Sequence, residues 1–134
     1  GIQELNQNIR ELCVAKYEGM DAYFEFVLEM NDKCTSGNAD TCWEPVAQDL
    51  GYDVEQIKTC EAEEGMDFAA ENLELNTLLG VRGSPTVYID GVQYDGPRTA
   101  AGYQQALCAA FVEPPAACET VQEAQAAAPP QGQC

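Results

Sequence analysis

The chain has 134 residues, which suits one domain, and its 46% hydrophobic content is ordinary for a globular core. Its formal net charge is −17, from 23 acidic and 6 basic side chains. This balance argues against binding to nucleic acid or anionic lipid, because either partner requires concentrated Lys and Arg. No apolar run is long enough to span a membrane. The charge fits a solvated acidic surface, and adaptation to a salty environment would use the same composition.

Two helices are predicted at the start of the chain. Apolar residues recur at three- and four-residue steps, which predicts a helix over about 3–17 whose inner face carries Ile2, Leu5, Ile9, Leu12 and Cys13. The side chains expected to face outward are Gln7, Arg10 and Glu11. A second helix is predicted over 20–33, with an inner face formed by Tyr23, Phe24, Val27 and Leu28.

Three further helices are predicted before residue 80. Thr41 and Glu44 fit a capping box, which starts a helix to about Leu50 and leaves Pro45 in its first turn. Asp53 is expected to cap a short helix that ends at Cys60. Gly65 is expected to separate that helix from a longer one over 66–79.

A β-hairpin is predicted after Gly80. Strands are expected over 86–89 and 92–94, joined by Asp90-Gly91, because a type I′ turn needs positive φ at both central positions. Proline at position 85 is either a strand-start proline or a cis proline. Thr99 is expected to cap a helix to Phe111 that covers one face of the hairpin, with an inner side made of Tyr103, Ala106, Leu107 and Phe111.

Seven cysteines in so short a chain indicate structural disulfides and an extracytoplasmic location, whether secreted, periplasmic-like or at the cell surface. Two pairs flank loops that can close, Cys34 with Cys42 and Cys108 with Cys118. Cys13 and Cys60 both lie on helices with apolar neighbours, and they are expected to pair or to be buried. Cys134 is the expected free thiol, at the end of a Gln-, Ala- and Pro-rich tail over 119–134.

The chain contains no histidine and lacks the paired cysteine spacing of structural zinc sites. We therefore expect no metal site and no cofactor. The absence of histidine also removes Ser-His-Asp and Cys-His nucleophilic mechanisms.

The order of elements after the helical region resembles the second half of a thioredoxin-fold domain. A helix is followed by the Gly80 to Thr86 segment, a strand, the Asp90-Gly91 turn, a second strand and a helix. With the Cys-containing helices before it, residues 2–118 resemble the DsbA-like thiol–disulfide oxidoreductases. The cysteine pattern is also similar to that of the gamma-interferon-inducible lysosomal thiol reductases. The resemblance implies a partial α/β, thioredoxin-like domain over 1–118. Within it, 1–79 would be a lid-like helical insertion, and 80–118 would hold a cis Pro85, the hairpin and a helix.

The resemblance also implies a binding role for Gly83, Ser84 and Pro85. In such enzymes the main chain beside the proline pairs with an extended polypeptide, here a substrate that carries cysteine. No two cysteines in this chain are separated by two residues, so no catalytic residue is assigned. The reductant or oxidant that would serve such an enzyme stays open.

Two functional hypotheses follow from the missing dithiol. In the first, the chain is the substrate-binding and lid portion of a longer, exported oxidoreductase whose Cys-x-x-Cys lies upstream, and it is redox-inactive by itself. In the second, it is a non-catalytic thioredoxin-like binding or structural module held by its own disulfides. A two-stranded hairpin is marginal as a whole sheet, so a homodimer that covers its edge is a further expectation.

Overall fold

The computed structural model describes residues 1–120, so residues 121–134 of the predicted tail over 119–134, with Cys134, lie outside the described residues. The chain divides into two compact units, Gly1–Leu79 and a second that begins at Gly80. The elements in chain order are α1 (Ile2–Tyr17), α2 (Met20–Lys33), α3 (Ala39–Asp49), α4 (Val54–Leu79), β1 (Tyr88–Ile89), β2 (Val92–Gln93), α5 (Ala100–Ala110) and a 3₁₀ turn (Ala116–Glu119). Helices and a small antiparallel sheet are both present, which is compatible with the predicted mix of α and β structure, while the thioredoxin-like topology stays a prediction.

The first unit is a helical bundle with one apolar core. Its largest fully buried side chains come from α1, α2 and α4, and they are Phe26, Ile57, Val14, Cys13 and Cys60. Trp43 and Ala47 of α3 complete the core. Burial of these side chains is the main source of stability in this unit.

The predicted inner face of α1 is partly wrong. Ile9 and Cys13 are buried as expected, but Ile2 and Leu5 are 68% and 45% exposed. Gln7 and Arg10, expected outward, are only 8% and 5% exposed, and Glu11 is half-buried. The spacing of apolar residues did not predict this face, because it includes a charged residue. Arg10 can be buried since carboxylates from other helices neutralise its charge.

Arg10 connects three helices. Its Nε donates to Glu61 Oε2 at 3.0 Å and its Nη2 lies 2.9 Å from Glu61 Oε1, a bidentate ion pair with α4. Its Nη1 lies 2.8 Å from Asp40 Oδ1 on α3, although the N–H direction is poorly aligned for a hydrogen bond. The guanidinium also stands 5.1 Å from the ring centroid of Trp43. Arg10, together with Asn6, holds the pKa of Asp40 below its usual value.

The bounds of α2 are those predicted, but its inner face is different. Phe26 and Met30 are buried, whereas Phe24 and Leu28 are 59% and 69% exposed. Tyr23 packs edge-on against Phe24 with ring centroids 5.1 Å apart. Because α2 is apolar around most of its circumference, spacing alone did not select the face that meets α1.

The start of α3 also differs from the prediction. The helix begins at Ala39 after Asn38, so Thr41 lies inside it and its hydroxyl donates to the Asn38 carbonyl at 3.1 Å. The Glu44 carboxylate does not cap the helix and instead accepts from Lys58 Nζ at 3.0 Å. Pro45 is therefore in the helix interior rather than in its first turn.

The two helices predicted on either side of Gly65 are one continuous helix, α4. Asp53 caps its start as expected, with Oδ1 accepting from the Gln56 N–H at 3.0 Å. Gly65 is buried, and a Cβ there would lie 3.0 Å from Ile9 Cγ2. The glycine thus allows close approach of α1 and does not interrupt the helix.

The second unit holds the predicted hairpin. Tyr88 pairs with Gln93 and Ile89 with Val92, and the turn residues Asp90 and Gly91 have φ of 49° and 76°. These positive values agree with the expected type I′ turn.

Helix α5 follows the hairpin and begins as predicted. Thr99 Oγ1 accepts from the Gly102 N–H, and the helix contacts β1. Leu107 and Phe111 were expected on its inner side but are 49% and 53% exposed, and α5 buries no residue completely. Its apolar stripe is therefore only partly covered within the described residues.

We predict that Arg10→Gln destabilises the protein by about 2–4 kcal/mol, because it leaves two partly buried carboxylates without their cation. Lys16→Gln is the matched control. It breaks the Lys16–Glu64 ion pair, in which Lys16 is 46% exposed, and should cost much less than Arg10→Gln because solvent screens this pair. Urea unfolding measures both, and equal losses would contradict the role given to Arg10.

The stabilisation from the Arg10–Asp40 pair depends on pH. Since the pKa of Asp40 is lowered in the folded state, this stabilisation is present above the usual Asp pKa and is lost as pH falls through the pKa of the folded state.

We predict that Gly65→Leu destabilises the protein by about 1–3 kcal/mol, because the larger side chain must displace Ile9 from the core. Ala62→Leu places the same side chain on the same helix at an exposed position and should change stability by less than about 0.5 kcal/mol. Thermal unfolding followed by circular dichroism compares the two variants. A Gly65→Leu protein as stable as the Ala62→Leu protein would show that the helices have room to move apart.

Candidate functional site

The Gly83–Pro85 segment, which the sequence selected as a binding segment, lies exposed in the second unit. Gly80, with φ of +66°, ends α4 and lets the chain turn into this segment. The Ser84–Pro85 peptide bond is cis. Thr86 folds back over the segment, and its hydroxyl donates to the Gly83 carbonyl.

Ser84 has no hydrogen bond through its main chain within residues 1–120. An exposed main-chain N–H and C=O without internal partners can pair with another polypeptide. The segment itself contains no titratable side chain, and the Ser84 hydroxyl is its one polar side-chain group. The predicted use of Gly83, Ser84 and Pro85 in binding stays a prediction.

A cavity of about 220 Å³ lies beside Pro85, and its wall is mostly polar. Arg98, just before α5, connects the two sides of this cavity. Its Nη2 donates to the Pro85 carbonyl at 3.4 Å. Tyr94, Asp95 and Tyr103 also line it. Arg98 is exposed and supplies a positive charge next to the segment.

Tyr94 organises the far wall of this cavity. Its hydroxyl donates to the Pro97 carbonyl at 2.8 Å, and its ring lies 5.1 Å from that of Tyr103. A Cβ on Gly96 would be 2.4 Å from the Tyr94 hydroxyl, and one on Gly102 would be 2.4 Å from the Pro97 carbonyl. Both glycines are therefore needed for this packing.

The side chains around the segment are not evident from the sequence, which predicts only that Tyr103 lies on the inner side of a helix. The two glycines around Pro97 were a usable signal of close packing. Nothing in the sequence indicated that Arg98 reaches Pro85, because that contact spans 13 positions and depends on the turn.

Three disulfides are present: Cys34 with Cys42 and Cys108 with Cys118, as predicted from the loops they flank, and Cys13 with Cys60, for which either pairing or burial was expected. The disulfide-bonded state expected from the composition is thus confirmed. Cys13 and Cys60 are 0% and 1% exposed, whereas the other four cysteines are partly exposed. Such a set of disulfides is typical of proteins in oxidising compartments.

All six cysteines among residues 1–120 are therefore oxidised, and no free thiol occurs in that range. The same range contains no group of three or more acidic or Cys side chains that could hold a metal ion. None of the helices it contains has the length and apolar character needed to cross a membrane.

Comparison with known proteins gives one informative similarity. The chain is 27% identical to vacuolar-sorting receptor 5 of Arabidopsis thaliana over an alignment of 127 residues. This alignment covers 80% of the present chain and 20% of the receptor. The chain thus spans about a fifth of the length of that receptor. No protein-family profile matches the chain, and no solved structure matches it.

We predict that Cys13 and Cys60 react last when the folded protein is treated with a mild phosphine reductant and an alkylating agent, because neither sulfur is accessible. Cys34, Cys42, Cys108 and Cys118 should be modified first. Peptide mass mapping over time gives the order. In denaturant the difference should vanish, and early modification of Cys13 in the folded protein would contradict the burial.

Proposed function

We propose that this chain is a non-catalytic, polypeptide-binding module of a protein of the secretory pathway, with Gly83–Pro85 as its docking segment. The observation that carries the proposal is the pairing of all six cysteines within residues 1–120 in disulfides. The active pair of such an oxidoreductase cycles between dithiol and disulfide and is a Cys-x-x-Cys, whereas the cysteines of the three bonds here are 47, 8 and 10 positions apart. The disulfides therefore act as a scaffold.

The similarity to a vacuolar-sorting receptor supports a receptor-type role in the secretory pathway. A receptor for sorting must hold other molecules without altering them, which suits a module without a nucleophile. The chain spans only a fifth of that receptor, so the activity and partners of the whole protein are part of the proposal.

Docking would use the main chain of Ser84. An extended polypeptide laid along the segment exchanges hydrogen bonds with the Ser84 N–H and C=O, so that binding depends little on the ligand's sequence. Arg98, held against the Pro85 carbonyl, would then contact ligand groups that enter the cavity beside the segment.

We expect a short fluorescent peptide rich in Val and Thr, chosen for its extended conformation, to bind the folded chain in an anisotropy titration. Ser84→Pro, which removes the N–H donor, should weaken binding about tenfold, because one main-chain hydrogen bond to the ligand is lost. Ser84→Ala keeps that donor and is the control, with a change below about twofold.

A second arm tests docking without altering the protein. The same peptide, N-methylated at alternate residues, retains its side chains but lacks half of its main-chain donors, and it should bind much more weakly. Equal binding of the two peptides would overturn main-chain docking, even if Ser84→Pro fails to fold.

The thiol–disulfide oxidoreductase portion is the second candidate, favoured by the resemblance of the Gly80–Thr86 segment and the hairpin to that family. The two candidates separate in an insulin reduction assay with dithiothreitol as the electron source. We expect the chain not to accelerate insulin precipitation. Acceleration that disappears when one cysteine is replaced would favour the enzyme.

A further inference from the structure

A second cavity, of about 320 Å³, opens on the helical unit between α1, α2 and the loop before α3. This volume is at the lower end of the range for ligand cavities. α1 contributes Glu4, Gln7 and Glu11 to its wall, while α2 contributes Met30 and Asn31. The cavity is thus rich in hydrogen-bond acceptors, and it does not involve the Gly83–Pro85 segment.

Glu11 is a partly buried carboxylate without a cation. The Gln7 Nε2 donates to its Oε1 at 3.2 Å, and no Lys or Arg among residues 1–120 forms an ion pair with it. Burial accordingly raises the pKa of Glu11, which the bond from Gln7 only partly offsets. The neighbouring Glu4 is in a different situation, because its carboxylate contacts the Gly1 amino group.

Gln7 supplies a second unfilled acceptor at the same place. The residue is only 8% exposed, and while its Nε2 is used by Glu11, its Oε1 is buried without a hydrogen-bond donor in the described part of the chain. A buried amide oxygen without a partner is costly, and native structures contain few of them. Of these two neighbouring acceptors, the Gln7 oxygen has no donor, and the charged Glu11 carboxylate has only the bond from Gln7.

We propose that this cavity binds an organic cation, a guanidinium or primary ammonium group, with the Glu11 carboxylate as its counter-ion. Such a group supplies both the missing positive charge and several N–H donors. Met30, which is 4% exposed, offers an apolar wall for the aliphatic chain that carries the cation. A metal ion is disfavoured, because no group of three or more Cys, Asp or Glu side chains within residues 1–120 is placed to hold one.

The charge of the helical unit favours the same ligand class. Residues 1–79 contain 18 acidic and 4 basic side chains. Each of the four basic residues, Arg10, Lys16, Lys33 and Lys58, is in an ion pair away from Glu11. The unit therefore attracts cations over a distance, and none of its four basic side chains is paired with Glu11.

The test is an NMR titration of the chain with N-acetyl-arginine methylamide, followed at the Gln7 side-chain amide and the Glu11 carboxyl resonances. N-acetyl-citrulline methylamide has the same shape without the charge and is the matched ligand control. We expect the arginine compound to shift both resonances and the citrulline compound to bind at least tenfold more weakly. Equal affinities would overturn the proposal.

The matched protein variants are Glu11→Gln and Glu63→Gln. Both remove one negative charge from the helical unit, but Glu63 is exposed and outside the cavity wall. Glu11→Gln should weaken arginine binding about tenfold, and Glu63→Gln less than about twofold. An equal loss in the two variants would show unspecific attraction to the acidic surface and would also overturn the proposal.

Thermal unfolding of the Glu11→Gln protein distinguishes a lost binding site from a misfolded protein. Since the Glu11 carboxylate is desolvated without a cation, Glu11→Gln should fold with unchanged or raised thermal stability while losing the ligand. Spermidine and a short Arg-containing peptide then distinguish two sources of the cation. Tighter, Glu11-dependent binding of spermidine indicates a free polyamine, whereas tighter binding of the peptide indicates a basic side chain of a partner polypeptide. Both outcomes uphold the cavity as a cation site, and binding of neither overturns it.

Discussion

The packing of α1 against α4 is the constraint on which the helical unit depends. Three different interactions lie along this interface: the Cys13–Cys60 disulfide, the bidentate Arg10–Glu61 ion pair and the close approach of Ile9 to Gly65. The disulfide closes a loop of 47 residues, which in the chain-entropy model contributes about 4 kcal/mol. Because this loop contains α2 and α3, fixing its two ends limits where those helices can pack. Arg10 then joins α3 to the same interface through Asp40.

The second unit is stabilised differently. It has no completely buried side chain among its described residues, and its sheet consists of two residues in each strand. A hairpin of this size is marginal without other support. That support comes from local constraints: the Asp90-Gly91 turn, the Tyr94 hydroxyl on Pro97 and the Cys108–Cys118 bond. A unit with so little buried core has low local stability, and recognition segments are commonly drawn from such regions.

Turns and helix caps could be predicted from the sequence, whereas the contacts between helices could not. Turn residues with positive φ, such as Gly91, and caps such as Asp53 and Thr99 depend on neighbours in the chain, and these predictions were confirmed. The burial of Arg10 depends on carboxylates 30 and 51 positions away, which no local pattern indicates. Gly65 was misread for a related reason: its role is set by Ile9 on another helix. The Glu11 cavity was missed because Gln7 and Glu11 look like ordinary outward-facing residues of an amphipathic helix.

The contrast between Arg10 and Glu11 connects stability to function. They are adjacent on α1, and both carry a charge into a partly or fully buried position. Arg10 has two carboxylate partners from other helices, so its charge is satisfied by the fold itself. Glu11 has only an amide donor, although the unit contains four basic side chains that folding could have placed there. A desolvated charge without a counter-ion lowers stability. In the proposed cation site, the Glu11 carboxylate takes its counter-ion from the ligand instead of from the fold.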